Sequence, residues 1–219
     1  MSRERAGLRR PTGDVAQRVP STSRSDVGLH RVVARHHPQP WHFATRDETG
    51  QRGGRFDLPT PAGTCYLATT AGSALLERLA DPDTDGPPYA SLETLRNLTV
   101  WSGHVASADD LADTTVPSVP GLTLELSTIV PYEASWAWAD AFIAAGKGGI
   151  VYRSRFGMAE AVALFDPLGG TPKDPSDPRH RGALTATPAT DLIDQLPPPF
   201  RSHLGRPVLA DHFEPAIDP

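Results

Sequence analysis

The sequence has one cysteine, Cys65, among its 219 residues. A lone thiol cannot form an intramolecular disulfide, and it cannot complete a zinc site of the cysteine-rich kind. The chain also lacks an excess of positive charge, since its formal net charge is -5 and its pI is about 5.9. That balance argues against general or direct nucleic-acid binding, which requires a basic surface.

Long apolar runs are missing as well, and no stretch approaches the length of a membrane-spanning helix. The first residues, MSRERAGLRRPTGD, are charged and lack the apolar core of a secretory signal. We therefore expect a soluble, cytoplasmic protein without a membrane partner. His36, His37 and His42 lie in a loop interrupted by prolines and complete no ligand set, so neither a metal site nor a cofactor is expected.

Chain breakers are abundant, with 23 prolines and 19 glycines, while hydrophobic residues make up 38% of the chain. This composition predicts one compact domain with disordered or loosely wrapped ends. Residues 1–27 hold six arginines and little apolar periodicity, which predicts a basic, disordered arm. The domain itself is expected over residues 28–166. Residues 167–219 contain 11 of the 23 prolines and form a predicted tail that either wraps the domain or extends from it.

Short apolar and β-branched segments bounded by glycines predict strands separated by helices. Strands are expected at residues 29–33, 64–69, 92–100, 121–129, 150–156 and 161–165. Helices are expected at 71–80, capped by Thr69 or Thr70, and at 133–146, which ends at Gly146. Together these elements predict a mixed α and β domain with mostly short strands.

Four side chains stand where such elements would bring polar groups together. Arg55 follows two glycines, Tyr66 lies on the next strand, and Glu77 lies on the helix after it. Ser154 belongs to the strand at 150–156, where alternation points it the same way as Ile150 and Tyr152. A hydroxyl on a core-facing side requires a partner in the protein or in a ligand.

Five short motifs occur in a fixed order along the chain. They are Arg31, GGRF (53–56), G-T-x-Y-L-A (63–68), A-L-x-E (74–77) and G-I-V-Y-R-S-R (149–155). No single motif is specific, but their order and spacing resemble the RES-domain family, over about residues 30–165. That family is named for an arginine, a glutamate and a serine, which correspond here to Arg31, Glu77 and Ser154.

The resemblance implies an α+β domain of the ADP-ribosyltransferase-like kind, with a mixed β core and flanking helices. It implies an NAD glycohydrolase or NAD phosphorylase, so NAD is a substrate and phosphate is one of two candidate acceptors, the other being water. It also implies a toxin that is paired with a helix-turn-helix antitoxin. A homodimer is left open.

The chemistry of NAD cleavage suits these residue types. Arg31 and Arg55 would bind the pyrophosphate, because a guanidinium pairs bidentately with oxyanions and stays charged. Tyr66 offers a π face to the cationic nicotinamide. A carboxylate at Glu77 would stabilise the positive charge that develops on the ribose. Ser154 would hold the nicotinamide amide or the adjoining ribose. Arg31, Glu77 and Ser154 are therefore the expected catalytic residues.

Two other functions share these features. One is transfer of ADP-ribose to a macromolecule, since the choice of acceptor depends on loop geometry. The other is a non-catalytic module that binds NAD. The presence of Arg31, Arg55, Tyr66, Glu77 and Ser154 together argues against the second, although each residue alone has an ordinary structural explanation.

Overall fold

The computed structural model describes residues 8–47, 53–79, 92–155 and 159–196. Its strands are β1 (Ser21–Thr22), β2 (Gly28–Ala34), β3 (Thr45–Arg46), β4 (Leu58–Pro59), β5 (Gly63–Ala68), β6 (Leu98–His104), β7 (Leu111–Asp113), β8 (Gly149–Arg153), β9 (Glu160–Asp166) and β10 (Thr185–Pro188). Its helices are α1 (Ala71–Leu79), α2 (Leu92–Arg96) and α3 (Glu133–Ala144). Short 3₁₀ helices span Val15–Arg18, Leu124–Ser127 and Ala189–Gln195.

Eight of the described strands form one mixed sheet in the order β1-β7-β8-β9-β5-β2-β6-β10. The β7–β8 pair is parallel and the other neighbours are antiparallel. A second, two-stranded parallel sheet joins β3 and β4. The expected fold class, an α+β domain with a mixed β core and flanking helices, is confirmed by this arrangement.

Both predicted helices occur close to their expected positions. In α1, the Ser73 N–H donates to the Thr70 hydroxyl at 3.1 Å, which is the expected N-cap. In α3, Trp138 and Phe142 are fully buried one turn apart. The chain leaves α3 at Gly146, whose φ of +77° favours glycine.

Three buried clusters hold the layers together. Trp138 and Phe142 of α3 pack with Ile150 and Tyr152 of β8 on one side of the sheet. A second cluster includes Leu29 of β2, Cys65 and Leu67 of β5, and Val162 of β9. The third joins α1, α2 and the last 3₁₀ helix through Leu75, Leu95, Ala189 and Leu196. Helix α1, which carries Glu77, is therefore packed against two elements from later in the chain.

One predicted strand is partly wrong and another is wrong. Residues 92–96 form α2, and the strand begins only at Leu98. The sequence LETLR is rich in helix formers, which explains the helical turn before the strand. Residues 121–129 contain the 3₁₀ helix Leu124–Ser127. A short apolar segment of this kind does not distinguish a strand from a helical turn by its periodicity alone.

The structure also differs from the expected disordered arm over residues 8–27. Val15, Ala16 and Val19 are buried in the cluster around α3, and β1 extends the sheet by pairing with β7. Arg24 forms a partly buried ion pair with Glu160 of β9. Because these contacts are made with distant parts of the chain, they produce no hydrophobic periodicity in the local sequence. Residues 1–7 of the predicted arm lie outside the described residues.

The first part of the proline-rich tail lies against the domain. β10 pairs with β6, and the 3₁₀ helix Ala189–Gln195 packs on α1 and α2. The domain therefore extends past residue 166, where its end was expected. Residues 197–219 of the predicted tail lie outside the described residues.

Candidate active site

A cleft with a volume of about 530 Å³ opens where β2 and β5 separate. The described pairing between these strands is a single register position, His30 opposite Ala68. Residues of both strands line the opening. The turn before β4, helix α1 and the segments around residues 132 and 152 supply further walls. The lining includes Arg31, Arg55, Tyr66, Glu77, Tyr132 and Tyr152.

Arg31 lies on β2 and reaches across to β5. Its Nη1 atom donates a hydrogen bond to the buried thiol of Cys65. Burial raises the pKa of Cys65, and the positive charge of Arg31 opposes that shift. The thiol is therefore held in its neutral form as a small packing group beside the arginine.

Arg55 is half-buried in the turn that precedes β4. Its Nη1 donates to the carbonyl oxygen of Ile129 at 2.8 Å, and its guanidinium carbon lies 4.7 Å from the centre of the Tyr132 ring. Burial lowers the pKa of Arg55, because the charged form is less stable away from water. The side chain is thus orientated before any ligand arrives.

Tyr66, on β5, places its ring in the cleft while its hydroxyl contacts protein groups. The hydroxyl donates to Asp57 Oδ1 at 2.7 Å and accepts from the Phe56 N–H at 2.8 Å. Burial, followed by the negative charge of Asp57, raises the pKa of Tyr66 well above its ordinary value. The phenol therefore remains protonated, and the ring face is the part available to a ligand.

Glu77 is half-buried on α1, on the side of the helix that lines the cleft. Its charge acts to raise the pKa of Arg55 and also that of Tyr152, so the carboxylate lies within electrostatic reach of both. The ring of Tyr152 packs edge-on against Phe56, with centroids 4.9 Å apart. Carboxylate, guanidinium and phenol thus converge on one volume.

The charge of the lining is strongly uneven. Among its described residues, four arginines stand against the single carboxylate of Glu77, and the third and fourth are Arg78 and Arg155. A concave site with this excess of positive charge favours a ligand that carries several negative charges.

Ser154 does not belong to this lining. Its side chain is fully buried, and its backbone N–H donates to the carbonyl oxygen of Ala159 at 2.8 Å. Of the five residues expected to form the site, the structure therefore brings Arg31, Arg55, Tyr66 and Glu77 to the cleft, and it places Ser154 in the core beside it.

Comparison with known proteins places this geometry in a family. The model of the RES domain matches residues 29–185. The chain belongs to the RES-domain family. A chain in the crystal structure of the M. tuberculosis MbcT–MbcA toxin–antitoxin complex shares its fold, with a TM-score of 0.58 and 13% identity. That alignment covers 87% of this chain and 98% of the other. No curated protein matches.

The segment before residue 29 lies outside the RES-domain match, yet it is packed into the core. Trp138 Nε1 donates to the carbonyl oxygen of Arg9 at 2.7 Å, and Lys147 Nζ donates to the carbonyl oxygen of Val19 at 2.9 Å.

No helix among the described residues is both long and apolar enough to span a bilayer.

Several residues of the site were not expected from the sequence. Tyr132 supports Arg55, Tyr152 forms a wall, and Asp57 holds the turn that bears Arg55. The position of Asp57 directly after the GGRF motif is a signal that would have singled it out. Tyr132 had no such signal, because its contact depends on how the loop before α3 folds back.

Three histidines, His30, His37 and His42, also line the cleft. His30 Nδ1 lies 2.8 Å from the Ser102 hydroxyl oxygen, and His42 Nδ1 lies 2.9 Å from that of Thr171. Burial lowers the pKa of the His30 and His42 imidazoles, and Arg31 adds to the effect at His42. Among the described residues no group of histidine, cysteine and carboxylate side chains has the arrangement needed to hold a metal ion.

Proposed function

We propose that this RES-domain protein cleaves the nicotinamide–ribose bond of NAD, acting as a glycohydrolase or phosphorylase. The observation that supports this most directly is the convergence of Arg31, Arg55 and Glu77 on one cleft. Its volume of about 530 Å³ falls within the roughly 300–1,000 Å³ of small-molecule sites. A compact dinucleotide is therefore a ligand of suitable size and charge.

In this proposal the arginines bind the pyrophosphate of NAD. Arg55 is already orientated by Ile129 and Tyr132, so little conformational freedom is lost when the phosphates arrive. The ring faces of Tyr66 and Tyr152 provide flat surfaces for the nicotinamide. A cationic ring on a phenol face is stabilised by the quadrupole of the aromatic system.

The bond that breaks joins C1′ of the ribose to the ring nitrogen of nicotinamide. Its electron pair goes to that nitrogen, which becomes neutral, and positive charge develops on the ribose. The Glu77 carboxylate would stabilise this charge more strongly than it stabilises bound NAD. An oxygen of water or phosphate then forms the new bond to C1′, and a proton is released to solvent.

The proposed biological role is that of a toxin in a toxin–antitoxin pair in the cytoplasm. Membership of the RES-domain family and a shared fold with a chain from a toxin–antitoxin complex support it. The proposed partner is a small helix-turn-helix protein that covers the cleft mouth, to which His37 and His42 of the 36–55 loop contribute.

Incubation with NAD, with and without phosphate and in the presence of a chelator, tests the activity. We expect nicotinamide together with ADP-ribose or its phosphorylated counterpart, and far less of both products from Glu77→Gln. Label transferred from NAD to a protein or nucleic acid would instead assign an ADP-ribosyltransferase. NAD that binds but stays intact would leave a binding module and overturn the proposal.

Expression in bacteria tests the biological role separately. The wild-type chain should lower cellular NAD and stop growth, because every dehydrogenase depends on the same cofactor pool. Glu77→Gln at equal abundance should be harmless. Normal growth at normal NAD levels, despite activity of the purified protein, would refute the toxin role and leave the chemistry intact.

A further inference from the structure

The turn Gly54–Asp57 carries Arg55 into the cleft and is held by several hydrogen bonds. The backbone N–H of Asp57 donates to the carbonyl oxygen of Gly54 at 3.2 Å, which closes the turn. Trp136 Nε1 donates to the same carbonyl oxygen at 2.9 Å from helix α3. The backbone is therefore restrained on both sides of Arg55.

A buried carboxylate lies at the centre of this turn. The Asp57 side chain is almost fully buried, and each of its oxygens accepts one hydrogen bond. Oδ2 accepts from the Gly54 N–H at 2.6 Å, and Oδ1 accepts from the Tyr66 hydroxyl at 2.7 Å. Because a buried carboxylate is costly unless its oxygens are satisfied, both donors are needed where they are.

The Tyr66 hydroxyl closes the network by accepting from the Phe56 N–H at 2.8 Å. Asp57 and Tyr66 thus bind the N–H groups on either side of Arg55. There is no spare room in this arrangement: a β-carbon at Gly54 would lie 2.7 Å from the Tyr66 hydroxyl oxygen and 3.0 Å from Asp57 Oδ1. The backbone of the turn rests directly on the carboxylate–phenol pair.

Asp57 itself does not line the cleft, whereas Gly54, Arg55 and Tyr66 do. We propose that Asp57 is a positioning residue, which sets the guanidinium of Arg55 and the ring of Tyr66 for substrate through the Gly54–Asp57 turn. This inference deepens the proposed NAD cleavage and rests on it. Tyr66 then serves in two ways, since its hydroxyl fixes the turn while its ring faces the ligand.

Three variants test the network. Asp57→Asn retains the shape of the side chain but replaces one acceptor oxygen with an NH₂ donor. Either the Gly54 N–H or the Tyr66 hydroxyl then faces a donor and loses its acceptor. Tyr66→Phe keeps the ring and removes only the hydroxyl. The double variant measures coupling between them. Thr114→Val is the matched control, because Thr114 is equally buried and donates to the Val151 carbonyl oxygen at 2.8 Å, outside the cleft lining.

The first readout is amide hydrogen exchange at Gly54 and Phe56, which needs no catalytic activity. Both amides should exchange faster in Asp57→Asn and in Tyr66→Phe, and should be unchanged in Thr114→Val. The second readout is steady-state kinetics with NAD. Each single variant should raise KM by roughly tenfold, as the loss of one hydrogen bond of about 1–1.5 kcal/mol allows, with a smaller change in kcat.

The double variant should be no worse than either single variant, since the two groups act as one unit. Independent, multiplying effects on KM would overturn the proposal, as would unchanged exchange at Gly54 and Phe56 in folded Asp57→Asn. If Asp57→Asn fails to fold, Tyr66→Phe alone decides: wild-type exchange and KM there would refute the network. A wild-type protein that releases no nicotinamide refutes the proposed function, and exchange still tests the role of Asp57.

Discussion

Replacing Arg55 with alanine separates ligand binding from folding in this cleft. The guanidinium contacts the Ile129 carbonyl oxygen at 2.8 Å and lies over the Tyr132 ring at 4.7 Å, so the substitution removes two protein contacts as well as the proposed pyrophosphate contact. The question is which of these losses dominates.

The protein contacts and the cost of burial oppose each other. A hydrogen bond contributes about 1 kcal/mol, and a cation–π contact contributes roughly 0.5–1 kcal/mol. Burial lowers the pKa of Arg55, so removing the cation also removes a desolvation penalty. We therefore expect the free energy of unfolding to change by only about 1 kcal/mol. A charged contact to phosphate is worth roughly 1.5–3 kcal/mol, which corresponds to a tenfold to 150-fold loss of affinity.

Calorimetric titration with ADP-ribose measures this affinity, because ADP-ribose retains the pyrophosphate and is not consumed. Arg55→Ala should bind roughly tenfold to 150-fold more weakly than wild type, and Arg55→Lys should recover only part of the loss, since an ammonium cannot pair bidentately. Thermal unfolding of the same samples checks folding. Wild-type affinity in folded Arg55→Ala would place the guanidinium outside the binding site and refute the assignment.

Three further predictions concern other parts of the molecule. Glu77→Gln should fold normally and lose roughly 10²–10³-fold or more in kcat for nicotinamide release; turnover near wild type would remove Glu77 from the mechanism. Arg24→Ala should lower the free energy of unfolding by roughly 1.5–3 kcal/mol, because Arg24 Nη2 donates to Glu160 Oε2 at 2.9 Å and secures the segment before β2. Equal denaturation midpoints would show that the segment is not anchored there. His30 and His42 have pKa values lowered by burial from 6.5, so the unfolded chain binds more protons below that pH and stability should fall on acidification. His30→Gln should reduce the slope between pH 6.5 and 5, and an unchanged slope would contradict the burial of that imidazole.

The β5–α1 unit shows what the sequence could predict. Gly63 begins the strand, Thr70 caps the helix, and the leucines of α1 recur on one face. These signals are local, so the positions of Tyr66 and Glu77 on consecutive elements followed from them. The order of the five motifs indicated a resemblance to the RES-domain family, and the family match over residues 29–185 confirms that resemblance.

The segments before β2 and after β9 show what the sequence could not predict. Residues 8–27 and 167–196 are ordered by contacts with distant parts of the chain. Examples are the hydrogen bond from Trp138 to the Arg9 carbonyl oxygen and the pairing of β10 with β6. Composition indicates how readily a segment becomes ordered by itself, but it contains no information on contacts with distant parts of the chain. The arginine-rich arm is therefore predicted to be disordered, and the proline-rich tail is predicted either to wrap the domain or to extend from it, although the described residues of both segments pack on the domain.

Ser154 marks the limit of reasoning from strand alternation. Alternation puts Tyr152 and Ser154 on one face only while the chain remains extended. β8 ends at Arg153, but the pairing with the next strand continues in register, since the Ser154 N–H donates to the Ala159 carbonyl oxygen at 2.8 Å, and the Ser154 side chain is buried as alternation predicts. Alternation does not predict, however, that Tyr152 and Arg155 line the cleft while Ser154 does not. The structure therefore leaves Ser154 outside the described cleft lining, and its expected contact with the nicotinamide amide or the adjoining ribose stays a prediction.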